Sequence, residues 1–224
     1  MAILLQGAEK QEIDYFLSKL QNSERKVIGG FEFYFGKIND RDVVISKTKV
    51  GEINASIATT IAIQSFKIDK IINQGTAGSH SVDVRRGDCV VVCDYVQINS
   101  YETVDGEYRI RTFNTDDIIA KREYDNNFIK EIFDKISSVS ERRIHLGKIA
   151  SGDVWNKDVN IIKKIHKDYD TLGEEMEIAG VYSVADSFKI PVVGVRIISN
   201  NSLLDEGYDP AIASECQKLI CKII

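Results

Sequence analysis

The chain has 224 residues, enough for one well-filled core and little for a second domain. Hydrophobic residues make up 43% of it and charged residues 28%, the balance of a soluble globular protein. A formal charge of −5 supplies no basic footprint for a nucleic-acid backbone, and the short Arg85-Arg86 and Glu141-Arg142-Arg143 runs read as solvated surface.

The opening MAILLQGAEKQE turns polar at Gln6 and has no basic start, so it does not read as a signal peptide. No stretch approaches the ~20 apolar residues that cross a bilayer, and a cytoplasmic address is expected. Residues 2–5 read as a short strand. Residues 9–20 carry Ile13, Phe16 and Leu20 at spacings of 3 and 4, the mark of a helix with one buried stripe. Residues 31–36 and 43–46 read as a strand pair joined by a turn at 38–41. A helix over 55–66 leads to a strand at 70–73 that ends at Gln74-Gly75-Thr76-Ala77-Gly78. Residues 89–93 form the next strand, and the polar stretch 97–112, with Gly106, reads as an excursion from the core.

Residues 128–136 are helix-like, and 143–150 alternate before Ser151-Gly152-Asp153. Helices near 159–166 and 178–188, a strand over 191–198 and an amphipathic helix over 211–224 complete the pattern. Strands alternating with helices, with one early strand pair, predict an α/β fold: a single domain over residues 1–224, three-layer α/β/α, with a central mixed sheet. None of Cys89, Cys93, Cys216 and Cys221 forms a CxxC pair, and His80, His145 and His166 are scattered, so a structural zinc is not expected. Cys89 and Cys93 read as reduced core thiols.

Three small polar clusters follow apolar strands: Gly7-Ala8-Glu9, Gly75-Thr76-Ala77-Gly78 and Ser199-Asn200-Asn201. Ligands of open α/β sheets bind beyond the carboxyl ends of the strands, so a shared pocket is one reading and plain tight turns the other. The GTAG segment lacks both GxGxxG and a Walker Gly-Lys-Ser/Thr. Its amides, including those of Ala77 and Gly78, and the Thr76 hydroxyl remain suitable donors. Carboxylates cluster near element ends at Glu9, Glu12, Asp153, Glu174, Glu175 and Glu177. The last three abut an apolar helix, as acids of a first helical turn or as a grip for paired ribose hydroxyls.

The order and spacing of Gly7-Ala8 with Glu12, the Ile71 to Gly78 segment, Gly87-Asp88, Ser151-Gly152-Asp153, Glu175-Met176-Glu177 and the Val195 to Asn200 segment resemble the purine nucleoside phosphorylase/uridine phosphorylase superfamily. The nearest branch is that of the methylthioadenosine/S-adenosylhomocysteine nucleosidases, over nearly the whole length. The resemblance implies a nucleoside phosphorylase-like fold and hydrolysis of the N-glycosidic bond of a purine nucleoside, releasing adenine and a 5-substituted ribose. It implies no cofactor, no metal and a homodimer. Glu12 matches the acid/base that activates water. Glu177, with Glu175 and Met176 in the same motif, matches the ribose grip. Trp155 matches an aromatic against the purine, and Asn156 follows where backbone groups read the base. Thr76 and Val50 match the surroundings of the sugar, and Tyr208 an aromatic bordering the 5′ substituent.

Three departures accompany the match. Asn200 stands where the branch has an aspartate beside purine N7. An amide donates and accepts but does not titrate, a pattern suited to O6 and N7 of a 6-oxopurine. The alternatives are therefore a nucleosidase or phosphorylase of inosine- or futalosine-like substrates, an adenosine-type enzyme that tolerates the amide, and a catalytically impaired aspartate-to-asparagine variant that binds nucleoside. Glu9 replaces a residue usually methionine, and 97–112 lacks the family's histidine–aspartate pattern. Hydrolysis is favoured over phosphorolysis because Asn73-Gln74 stands where phosphorylases place an arginine.

Overall fold

The computed structural model describes residues 1–105, 107–110 and 123–224. Its main sheet runs β10-β9-β6-β11-β5-β1-β4-β3-β2, where β1 is Ala2–Gly7, β2 Gln21–Ile28, β3 Phe31–Ile38, β4 Arg41–Lys47, β5 Ile68–Ser79, β6 Cys89–Gln97, β9 Ile144–Ser151, β10 Thr171–Glu175 and β11 Val192–Asn200. A separate ribbon pairs β7 (Tyr101–Val104) with β8 (Glu107–Ile110). Of the excursion expected over 97–112, Gln97 instead ends β6 and Ile98 is buried in the core, while 101–104 and 107–110 form this ribbon; residues 106, 111 and 112 lie outside the described residues.

Parallel pairings (β1–β4, β1–β5, β5–β11, β6–β9, β9–β10) mix with antiparallel ones (β2–β3, β3–β4, β6–β11), as the sequence predicts for a mixed sheet. Successive residues of the central strands feed opposite faces. Leu4, Ile71, Val90 and Val192 pack with α2 (Glu52–Ser65) and α5 (Ile178–Phe188), while Leu5, Ile72, Val91 and Val193 pack with α3 (Glu123–Val139) and α6 (Ile212–Cys221). Strands buried on both faces lose the polar half of their alternation, which is why they read as continuous apolar runs. A third, smaller cluster of Val96, Ile98, Ala150 and Ile165 sits under α4 (Val159–Tyr169).

Several elements differ from expectation. The predicted first helix divides into a 3-10 turn at Lys10–Glu12 and a short α1 at Asp14–Lys19, because residues 8–12 fold around the carboxylate of Glu12. Strand β2 carries no apolar alternation because it is an exposed edge. Cys93 is exposed rather than a core thiol: the register between β6 and β9 slips between Val92 and Asp94, and the extra residue turns outward, whereas Cys89 stays buried. Glu174 and Glu175 end strand β10 instead of opening a helix, and Glu177 is the N-cap of α5.

Strand β5 continues through the whole GTAG segment. Its end is gripped from both sides, by β11 in parallel and by β10 in antiparallel, with Gly173 opposite Ser79 and Glu174 opposite Gly78. This second pairing brings the carboxyl ends of β5, β10 and β11 together, and the candidate site opens there. No helix among the described residues is long and apolar enough to cross a membrane.

Candidate active site

A cavity of about 400 Å³ opens at this junction. Of the sequence-predicted site residues, Glu12, Val50, Thr76, Ala77, Gly78, Trp155, Glu175, Met176, Glu177, Asn200 and Tyr208 all line it. Asn156 does not. Sequence reasoning left out Gln11, Val154 and Pro210; it named Ala8, Glu174 and Ser199 only as members of motifs or of acid or small-residue clusters, and Glu9 also as a departure from the family pattern.

Glu12 is held from the exit loop of β1. One carboxylate oxygen accepts from the backbone N–H groups of Ala8 (2.8 Å) and Glu9 (3.2 Å), the other from that of Thr76 (3.2 Å). The side chain is buried, and loss of hydration raises its pKa above the usual carboxylate range, against the lowering influence of Arg196 and the three amides. Glu9 turns to solvent and accepts from the Gln11 side chain at 2.8 Å, so the two acids of this loop are separated by exposure.

Glu175 and Arg196 form an ion pair of 2.7 Å with both side chains 1% exposed. The Glu175 carboxylate also accepts from the N–H groups of Glu177 and Ile178, closing the N-terminus of α5. Arg196 is further bound by the carbonyl and side chain of Asn73. Its guanidinium is thereby committed to the protein frame. Glu177 accepts from Gly51 N–H at 3.1 Å, and its pKa is pushed up to about 8, first by burial and then by the negative charges of Glu175 and Glu12.

The Ser151-Gly152-Asp153 motif has a structural task here. The Ser151 hydroxyl accepts from Ala179 N–H in α5, and Asp153 from Glu52 N–H at the start of α2. It thereby fixes the strand end from which Val154 and Trp155 project. Trp155 and Tyr208 stand at the mouth, 58% and 43% exposed, their ring centroids 5.9 Å apart in an edge contact.

Behind Trp155 the backbone N–H and side-chain Nδ2 of Asn156 both donate to Glu174, at 2.8 and 2.7 Å. The Asn156 N–H expected to face a base is therefore already taken. On the opposite side the Asn200 side-chain oxygen accepts from the Ser199 hydroxyl at 2.9 Å. Among the described residues no group of three or more His, Cys, Asp or Glu side chains is placed to hold a metal ion.

The family model of the Phosphorylase superfamily matches residues 2–224. A 5′-methylthioadenosine/S-adenosylhomocysteine nucleosidase of Bacillus licheniformis is 30% identical over 201 residues, covering 89% of this chain and 86% of its own. One from Psychromonas ingrahamii is 28% identical, covering 100% and 98%. The chain belongs to the phosphorylase superfamily, in its 5′-methylthioadenosine/S-adenosylhomocysteine nucleosidase branch.

The fold agrees with that placement. The nucleosidase of Streptococcus pneumoniae with the transition-state inhibitor MT-ImmA superposes with a TM-score of 0.80 at 22% identity, covering 100% of this chain and 98% of that one. The Neisseria meningitidis enzyme in complex with methylthio-immucillin-A gives 0.81 at 21% identity, covering 99% and 97%. Within the branch, the nucleoside phosphorylase-like three-layer architecture expected from the sequence is the one observed.

Proposed function

We propose that this member of the nucleosidase branch hydrolyses the N-glycosidic bond of a purine nucleoside, with 5′-methylthioadenosine and S-adenosylhomocysteine as its adenine-releasing substrates. The observation that carries the mechanism is the placement of Glu12 and Glu177 on the same cavity, each held by backbone amides at a strand or helix end. Cleavage develops positive charge on the ribose ring and negative charge on the departing purine, and fixed groups aimed at those charges lower the barrier.

Glu177 grips the ribose hydroxyls, with Met176 beside it and Glu175 holding the start of α5. Val50, Thr76 and the strand edge at Ala77 and Gly78 frame the sugar. Glu12 takes a proton from water as the oxygen attacks C1′; a carboxyl pKa raised by burial suits that task. Trp155 stacks on the base, Tyr208 borders the 5′ group, and Asn200 donates to the leaving purine. Among the described residues no Lys, Arg or His lines the cavity, and the buried Arg196 is committed to Glu175 and Asn73, which supports water rather than a phosphate dianion as the nucleophile.

Residues 1–224 act in this reading as one domain, since strands from both ends of the chain interleave in one sheet. The second copy of a homodimer would cover α2, whose Ile53 and Ile57 are 72% and 44% exposed, continuing from Val50 at the cavity edge. A monomer by light scattering at working concentration would remove that part. The four free cysteines fit a reducing, cytoplasmic compartment.

The test is purine release from methylthioadenosine, S-adenosylhomocysteine, adenosine and inosine, each with and without phosphate. Phosphate-independent release is expected. Release that requires phosphate would make the protein a phosphorylase, and binding without release would leave it a nucleoside binder.

A further inference from the structure

The turn that carries Glu12 is gripped by a side chain from the far end of the chain. Gln217, in α6, is 0% exposed and uses both ends of its amide. Its oxygen accepts from the backbone N–H groups of Tyr15 at 2.9 Å and Phe16 at 3.3 Å. Its nitrogen donates to the Gln11 carbonyl at 2.7 Å and to the Ala213 carbonyl of its own helix at 3.1 Å. Glu12, Ile13 and Asp14 therefore lie between two anchor points on one buried side chain.

The local sequence explains why the anchor comes from elsewhere. Tyr15 and Phe16 are in the first turn of α1, where N–H groups have no carbonyl partner within the helix. A Ser, Thr, Asp or Asn at the N-cap ordinarily accepts from one of them. Ile13 stands at that position, and its side chain has no acceptor. Gln217 supplies it from 202 and 201 positions away in the chain.

On its other side the turn is held by β5, where the buried Gln74 donates from Nε2 to the Glu12 carbonyl. The Glu12 main chain is thus fixed between β5 and α6. Its carboxylate meets two amides of its own loop, Ala8 and Glu9, and one of β5, Thr76. All three bonds hold together only while the turn stays against β5. We propose that Gln217 is a positioning residue for the general base: by tying residues 11–16 to α6 it holds the Glu12 carboxylate at the Thr76 amide, facing the cavity where water attacks.

This deepens the nucleosidase reading and rests on it. Gln217 touches no substrate and acts through Glu12. Its helix also carries the cavity mouth: Tyr208 and Pro210 line the cavity, Asp209 N–H donates to the Ser199 carbonyl, and α6 begins at Ile212. One helix therefore sets both a cavity wall and the base.

The experiment compares wild type with Gln217→Met, which keeps nearly the same length and makes none of the four hydrogen bonds. The control is Leu219→Ala, which removes core packing from the same helix and leaves every hydrogen bond of Gln217 in place. Base release from methylthioadenosine is followed as a function of pH, beside the melting temperature of each protein. Gln217→Met should lower kcat about tenfold or more while KM stays within about threefold. The acid limb of its kcat profile should move to lower pH, because a carboxylate released to water loses the burial that raises its pKa. Leu219→Ala should melt earlier yet keep the wild-type acid limb, with kcat within about threefold. Equal kcat in the two variants, or an unmoved acid limb in Gln217→Met, overturns the proposal. Where Met at this buried site prevents folding, Gln217→Asn, its amide one methylene short of the turn, is judged by the same criteria. If wild type releases base from no nucleoside, the nucleosidase reading fails, and NMR titration of the Glu12 carboxyl decides. A Glu12 pKa lower in Gln217→Met than in wild type supports the positioning role, and identical titrations overturn it.

Discussion

Glu12 and Gly75 occupy one another's space: a Cβ at position 75 would stand 2.6 Å from Glu12 Oε1 and 3.1 Å from its Cδ. The missing side chain in the GTAG segment is the room into which the buried carboxylate folds. Gly75→Ala is compatible with the extended backbone of β5 but not with Glu12 in its place. The carboxylate must rotate away and lose the Thr76 amide. A positioned general base contributes about 10²–10⁴-fold, so base release should fall about 100-fold or more in a protein whose circular dichroism is unchanged. Activity within a few-fold of wild type would mean that Glu12 does not act from this position.

Glu12→Gln tests the same group at nearly the same size, its amide oxygen still able to accept from Ala8 and Glu9 while its NH2 meets the Thr76 N–H. The amide keeps the size but no longer takes a proton from water. Hydrolysis should drop by about 10²–10⁴, while affinity for the free base, which leans on Trp155 and Asn200, stays close to wild type. Unchanged turnover would reassign the base.

The layered mixed fold was legible because Leu4-Leu5, Ile71-Ile72 and the Val90 to Val92 run feed both faces of a sheet, and such strands announce themselves as apolar runs. Strands β2 and β10 were not, since Gln21–Ile28 is an exposed edge and Thr171–Glu175 takes its identity from pairing with β9 and β5. Among site residues, Glu12 and Glu177 stood out by motif. Glu174 was visible only as one acid in a row, because its meaning depends on His80, 94 positions away in the chain, reaching it across the sheet closure. Asn156 was expected near the base but does not line the cavity, and no sequence pattern reveals that its amide is spent on a neighbouring carboxylate.

The raised pKa of Glu177 carries a stability signature. Folding lifts it from the ordinary carboxylate value of 4.5 to about 8, so the folded protein binds a proton that the unfolded chain releases between those values. The contribution is fully present below about pH 4.5 and is lost as pH rises through 8; the raised pKa of Glu12 acts in the same direction. Melting temperature should therefore decline between pH 5 and 9 in the ligand-free protein. Glu177→Gln, which has no proton to lose there, should decline less steeply, and parallel curves for the two proteins would contradict the assignment.

The final prediction concerns the frame beneath the site. Arg196 is buried against Glu175, Asn73 and the strand backbone, and burial opposes its charge, but Glu175, Glu177 and Glu12 around it keep its pKa raised. Arg196→Met removes the cation and leaves Glu175 a buried anion whose compensation is reduced to the amides at the start of α5. Breaking one partner of a buried pair costs about 3–5 kcal/mol, which chemical denaturation should register. Adding Glu175→Gln to that variant keeps acceptance from the helix N–H groups but removes the stranded charge. The double variant should recover most of the lost stability. If the double variant is as unstable as Arg196→Met alone, the packing of the long arginine side chain, rather than its charge, holds β11 to β5 at the cavity floor.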